Sequence, residues 1–416
     1  MDDNNDRSDD DDNDDDHHRQ AQEEENDHKA ISIIGRKKEF SFRTRNKIDA
    51  LVEGFLQELG DDVHELLCEN MDIYSEDYRG LNNDRDTEAE VEIAVRFFPD
   101  VLTRKGGHDC NYYPIQCLTF AWNCLSNVNV KAVAFIPLLA RLAVELGSFE
   151  EEERGGLLCK NSMNINVLQN LMNSDKGRPE NLHHNPREYH EVVDENYFQV
   201  LIRLGKLGYL KKKDIQWYGL LNKLCFAQKL YFAKKRFRFL VEWDPNALTQ
   251  TDECGDLPLH DAVYFIDSSI RQLYQFVFEA GIKHFPKKKG IHLFFHKDRN
   301  DDTPFQGACK KFGYKEVMNS IEETLVRYSD TPINTAEALL SAAIDESIHL
   351  DCVYFLLRRQ PDILQKLPSL ASASNILISE TKINPNKRKR NDMKNDDDDN
   401  GTRMCARLCS IWCHVK

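Results

Sequence analysis

The strongest constraint on the fold of this chain is a helical stripe that runs into a proline, four times over. The segments are VEIAVRFFPDVL at 91–102, FRFLVEWDPNAL at 237–248, FEAGIKHFPKKK at 278–289 and VYFLLRRQPDIL at 353–364. Each places apolar or small residues at i, i+3 and i+4: Val91/Ala94/Val95, Phe237/Leu240/Val241, Phe278/Gly281/Ile282 and Val353/Leu356/Leu357. That spacing marks one face of a helix. The residue before a proline is pushed out of the helical region, so each helix is expected to stop at its Pro. Three of these stops are followed by a polar turn and a second proline, at Pro114, Pro258 and Pro304. Proline at a first helical position is tolerated because that N–H has no partner inside the helix. The unit predicted is helix, stop, turn, start, helix. No strand alternation recurs on this scale. The apolar strip 291–295 has strand character and is expected to be an insertion, as is 173–193. The lysine runs 211–213 and 287–289 are expected to be solvated loops.

Composition limits what surrounds the repeats. Residues 1–30 hold 14 Asp or Glu against Arg7, Arg19 and Lys29, most of the net charge of −15. So polar a segment cannot offset its ordering entropy by burial, and residues 1–30 are expected to be a disordered acidic arm. Residues 369–416 are expected to be a second disordered tail with a basic cluster. The repeat domain is then 31–368. Its nearly neutral charge gives no broad electrostatic footprint for nucleic acid, so no direct nucleic-acid binding is expected. The apolar run 132–140 is interrupted by Pro137, too short to span a bilayer. No basic and apolar leader opens the chain, so it is expected to be nuclear or cytoplasmic and not secreted. Its 12 cysteines contain no CxxC pair and are expected to be reduced core residues.

The turn between the second stop and the second start reads DECGDLPLHDAV, residues 252–263. Asp252, Gly255, Pro258, Leu259, His260 and Ala262 match the ankyrin-repeat signature D-x-x-G-x-T-P-L-H-x-A, with Leu257 at the Thr position. A second copy contains Asp298, Thr303, Pro304 and Ala308, with Asp301 for Gly, Phe305 for Leu and Gln306 for His. Weaker echoes are Tyr113-Pro114-Ile115-Gln116 and Asn166-Val167-Leu168-Gln169. The chain therefore resembles the ankyrin-repeat family as a degenerate member, similar to ankyrin-like proteins from microalgae. The resemblance is most specific over 237–326. It implies an all-α, ankyrin-like helical-repeat solenoid. It also implies that the Thr and His of the motif fix the turn by local hydrogen bonds. On that basis His260 lacks its Thr, Thr303 lacks its His, and Leu257→Thr should stabilise the fold by about 0.5–1 kcal/mol, the scale of a helix cap.

His260 beside Asp261 could be a catalytic pair. Neighbours one apart on a helix point in different directions, however, so a structural role is expected. His190-Glu-Val-Val-Asp194 begins like HExxH but lacks the second His that zinc needs. With His183 and His184 it leaves a metal-dependent enzyme as a remote alternative, set against a solvated insertion. Cys405, Cys409, Cys413 and His414 could serve a soft metal or a lipid. Lys387, Arg388, Lys389 and Arg390 form a candidate nuclear-import cluster. No Walker A, GxGxxG, GxSxG or intact HExxH is present.

The function expected is a non-enzymatic protein–protein interaction scaffold, with no catalytic, metal or cofactor-binding residue and no cofactor. The alternative is a nuclear regulatory or histone-contacting factor. The partner implied is another protein, and the chain is expected to be monomeric. Candidate partner-binding residues are the turn tips Asp252, Glu253, Asp256, Arg299, Asn300 and Asp302, taken as exposed by position.

Overall fold

All four proline stops end helices where the pattern places them. α2 (Glu88–Phe97) stops before Pro99, α9 (Lys234–Trp243) before Pro245, α11 (Gln272–His284) before Pro286 and α16 (Leu350–Arg359) before Pro361. The second prolines open helices: Pro114 starts α3 (Pro114–Cys117), Pro258 starts α10 (Pro258–Tyr264) and Pro304 starts α13 (Pro304–Phe312). The remaining helices are α1 (Phe42–Cys68), α4 (Ile136–Glu145), α5 (Val167–Asn170), α6 (Pro186–Lys206), α7 (Lys212–Trp217), α8 (Leu220–Ala227), α12 (Lys289–His292), α14 (Tyr314–Arg327) and α15 (Thr335–Ile344). The computed structural model describes residues 29, 31–69, 78–106, 111–119, 130–172, 186–227, 231–264, 272–287, 289–328, 330 and 333–364. Among them the chain is mostly helical, and the only β pairings are two isolated antiparallel bridges, Gly106 with Tyr112 and His296 with Ile348. Of the arm predicted over 1–30 only Lys29 is described, helical and exposed, and the tail predicted over 369–416 lies outside the described residues.

The chain divides into two compact units, Met1–Glu65 and Leu66–Lys416. The first is built around α1. In the second, helices pack in two series. One runs α2 on α4, α4 on α6 and α6 on α9, and further along the chain α11 packs on α14. The other runs α5 on α8, α8 on α10 and α10 on α13. Short proline-led 3-10 turns, Pro99–Leu102 and Pro245–Thr249, join one series to the other. They bury Val101, Leu102, Ala247 and Leu248, so the stops themselves contribute to the core. No described helix is long and apolar enough to cross a membrane.

Three local expectations are corrected by the packing. The strip 291–295 is not a strand. It completes α12 and forms a 3-10 turn, Leu293–Phe295, with Phe294 and Phe295 fully buried. Phe294 lies 4.9 Å from Phe278, and Phe295 lies 4.9 Å from Phe305, ring centre to ring centre. These residues lengthen the spacing between Pro258 and Pro304 and fill the core between their helices. Residues 186–193, expected in a solvated insertion, are helical and open α6. Lys212 and Lys213 belong to helix α7 and Lys289 starts α12, although all three are exposed.

His190 and Asp194, predicted on a solvated insertion, are buried on α6. His190 stacks on Tyr231, and Asp194 Oδ1 accepts from Arg236 Nε at 2.9 Å. Both members of this ion pair are only 1% exposed. Arg236 also donates to the Leu171 carbonyl at 2.6 Å and lies over the Tyr197 ring. The pair thus ties α6 and α9 to the end of α5. Removing one partner of such a pair leaves a buried charge uncompensated, at about 3–5 kcal/mol. A second, nearly buried pair, Arg154 with Asp214, joins the turn before α5 to α7.

Candidate functional site

The turn at 252–256 is closed by its own first residue. The Asp252 N–H donates to the Asp256 carbonyl at 2.9 Å, and Gly255 N–H donates to the Asp252 carbonyl at 3.1 Å. Asp252 Oδ1 accepts from the N–H groups of Cys254 and Asp256. An Asp that bonds the backbone two residues on is a standard turn former. Gly255 has φ of +83°, where a Cβ is strained.

The same turn is built at 298–302. Asp298 N–H donates to the Asp302 carbonyl at 2.9 Å, and Asp298 Oδ1 accepts from Asn300 and Asp302. Asp301 takes Gly255's place with φ of +62°. It is built again at 161–165, where Asn161 N–H donates to the Ile165 carbonyl, Asn161 Oδ1 accepts from Met163 and Ile165, and Asn164 has φ of +61°. At a fourth place Asn111 has φ of +44°, and the residues before it, 107–110, lie outside the described residues. In all four the left-handed residue stands two positions before the residue that caps the next helix: Tyr113, Asn166, Leu257 and Thr303.

His260 has a defined job in this device. Its Nδ1 accepts the Leu257 backbone N–H at 2.9 Å, the group left over at the helix start. Gln116 Oε1 does the same for Tyr113, and Gln169 Oε1 for Asn166, each at 3.1 Å. Asp214 does it for Lys211 at the start of α7. Glu90 does it for Thr87 at the start of α2, so His260 is one of several acceptors that stand three residues past the cap. The exception is Gln306, which reaches Asp351 instead, while Thr303 Oγ1 accepts the Gln306 N–H at 3.2 Å.

The half-device expectation is corrected by this geometry. Leu257 needs no hydroxyl, because its own N–H already serves His260. It is also fully buried, so Leu257→Thr removes buried apolar surface and the expected sign of that substitution reverses.

The electrostatics follow from burial. His260 is fully buried, its pKa is lowered to about 4, and it is neutral near pH 7. Desolvation is the main cause and the neighbouring His296 adds to it, while the backbone of Asp302 and His296 acts the other way. His260 Nε2 closes no hydrogen bond. The two imidazoles meet edge to face at 6.3 Å. Asp261 is buried and accepts from Asn222 Nδ2 at 3.3 Å, and the same amide donates to the Asp256 carbonyl at 2.8 Å. Desolvation, then the charges of Asp252 and Asp256, push Asp261 up to about 8, with Asn222 and Lys223 opposing. Asp256 rises to about 6, from desolvation and then from Asp252 and Asp298. His260 and Asp261 thus face separate partners and form no pair.

Of the six predicted tips, Asp252, Glu253, Arg299 and Asn300 are exposed. Asp256 and Asp302 are half-buried, because each closes its turn and packs against the neighbouring layer. The carboxylate of Asp252 is engaged by its own turn. Asp252, Cys254 and Asp256 bring one potential ligand atom each within 4.8 Å of one another, an arrangement that turn closure already accounts for. The structural residues Pro258, Leu259, Ala262, Pro304 and Ala308 are all buried. Five of the seven described cysteines are buried and Cys254 is exposed. His183, His184, Lys387, Arg388, Lys389, Arg390, Cys405, Cys409, Cys413 and His414 lie outside the described residues.

Sequence reasoning missed Asn222, Asn161 and Asn164. The signal available was Asn standing for both Asp and Gly, since Asn tolerates the left-handed region and forms the same local bonds. Comparison with family models, curated proteins and solved structures finds no match to the chain.

Proposed function

We propose that this protein is a non-enzymatic scaffold, a degenerate ankyrin-like solenoid that binds another protein through its row of turns. One observation carries the reading. A single turn design is built three times among the described residues, at 161–165, 252–256 and 298–302, while the residues at its tip differ. Its closing groups are fixed: Asp or Asn at the first position and a left-handed residue at the fourth. The tips differ: Glu253 and Cys254 in one copy, Arg299 and Asn300 in the next, Ser162 and Met163 in a third. Stacked repeats hold such tips at regular intervals on one surface, where a partner can bridge several at once. The chemistry at His260 and Asp261 supports the same reading, since His260 Nδ1 holds the helix start and Asp261 holds Asn222 of α8.

The test uses proximity labelling with the full chain and a Glu253→Arg/Asn300→Arg variant. Both side chains are exposed and neither closes its turn, so the melting temperature should not move. A set of neighbours that labels with wild type and is lost from the variant is the expected result. An unchanged set of neighbours would overturn the assignment of binding to these tips.

A further inference from the structure

Helix α1 exposes an apolar stripe along its middle turns. Leu51 is 74% exposed, Phe55 63% and Leu59 37%, and they stand at i, i+4 and i+8. Half-buried Ile48, Val52 and Leu56 flank them. This width of apolar face is the pattern of a helix that pairs with another helix.

The charges on α1 say which helix. Arg43, Arg45 and Lys47 lie toward its N-terminus, and Glu58, Asp61, Asp62 and Glu65 toward its C-terminus; between them stand Asp49, paired with Lys37, and Glu53. There is no acidic residue in the first turn and no basic residue in the last. A helix dipole favours the reverse order, so this arrangement is unfavourable for α1 by itself. It becomes favourable beside a helix with the same charge order running the opposite way. The chain itself encodes such a helix.

We infer that α1 docks antiparallel on α1 of a second copy of this chain. With Phe55 at the twofold axis, Leu51 meets the partner's Leu59, and exposed Lys47, on one flank of the stripe, comes beside the partner's Glu65. A parallel pair would align basic end with basic end and acidic with acidic, so the charges select the antiparallel form. The stripe is short, so the dimer is of micromolar strength and gives way as salt is raised. This pairing is independent of the turn row, and it stands against the monomer expected from sequence.

The experiment is sedimentation velocity on the full chain across micromolar concentrations. Wild type should dimerise, and Phe55→Asp should be monomeric with its circular dichroism unchanged. Lys47→Glu alone should weaken the dimer about tenfold, the effect of turning an attractive contact into a repulsive one on both sides of the axis. Lys47 is exposed, so the effect of that substitution is not unfolding. Adding Glu65→Arg to the same chain should restore the dimer. A wild type that stays monomeric would overturn the proposal, as would a dimer indifferent to Phe55→Asp. Failure of the double exchange to restore pairing would remove the antiparallel arrangement and leave a different partner for the stripe.

Discussion

The turns at 252–256 and 298–302 have the same hydrogen bonds and different sequences. Asp252 and Asp298 close them identically, yet the left-handed position is Gly255 in one and Asp301 in the other. The reason lies in what each position touches. A Cβ on Gly255 would stand 3.2 Å from Arg299 Cγ and 3.3 Å from the Arg299 backbone nitrogen, atoms of the next turn. Asp301 is exposed and pairs with Lys297 at 2.8 Å. The turn design therefore needs a left-handed residue, and stacking decides whether it must be glycine. The largest effect expected from this contrast is at Gly255. Gly255→Val combines a β-branched residue at positive φ with a contact against the adjacent turn, a loss of about 2–3 kcal/mol. Asp301→Gly should be neutral or slightly stabilising. Chemical denaturation of the two variants checks this, and equal losses at both sites would mean that stacking has no part in the choice.

The same comparison shows what could be seen in the sequence. Proline acts on its own residue and the one before it, so all four stops and all three starts were legible. The turn at 161–165 was only an echo, because Asn161 and Asn164 replace both signature residues while keeping their chemistry. The buried ion pair was not legible, since Asp194 meets Arg236 from 42 residues away and nothing in its HExxH-like neighbourhood announces that partner. Nor was the role of 291–295, because a short apolar run reads alike as a strand and as a buried turn of helix. The half-burial of Asp256 and Asp302 depends on the stacking of one turn against the next, which no local pattern encodes.

The two copies also differ in titration. Asp261 is buried behind the first turn, and the position that corresponds to it after the second turn is Gly307. A carboxyl raised in the fold holds its proton more tightly folded than unfolded. Its contribution is therefore present at low pH and is lost as pH rises through the folded value of about 8. His260, lowered to about 4, acts in the opposite sense, but only between about 4 and the ordinary histidine range. Asp256 has its midpoint at about 6 and is nearly all ionised by about pH 7. From about pH 7 to 8.5 Asp261 dominates the titration of these three groups, and stability should fall across that window. Asp261→Asn keeps an acceptor for Asn222 and should remove about 1–2 kcal/mol of that slope. Urea midpoints at the two pH values provide the measurement, and an unchanged slope in the variant would show that Asp261 is not the group responsible.

The smallest effect separates the two ways of starting a helix. In the second copy Thr303 caps with its hydroxyl, and in the first His260 caps the backbone of Leu257 while the Leu side chain fills the core. Leu257→Thr would add a hydroxyl cap worth about 1 kcal/mol. It would also withdraw most of a fully buried leucine, worth about 1.5–3 kcal/mol. The loss exceeds the gain, so the variant should be destabilised by about 1 kcal/mol, and His260→Gln should be nearly neutral because Gln116 and Gln169 already perform the same task. A Leu257→Thr protein more stable than wild type would mean that the hydroxyl outweighs the buried side chain, and that the first copy is a weakened version of the second. A less stable one means that the two copies are alternative solutions, one capping through the side chain and one packing through it.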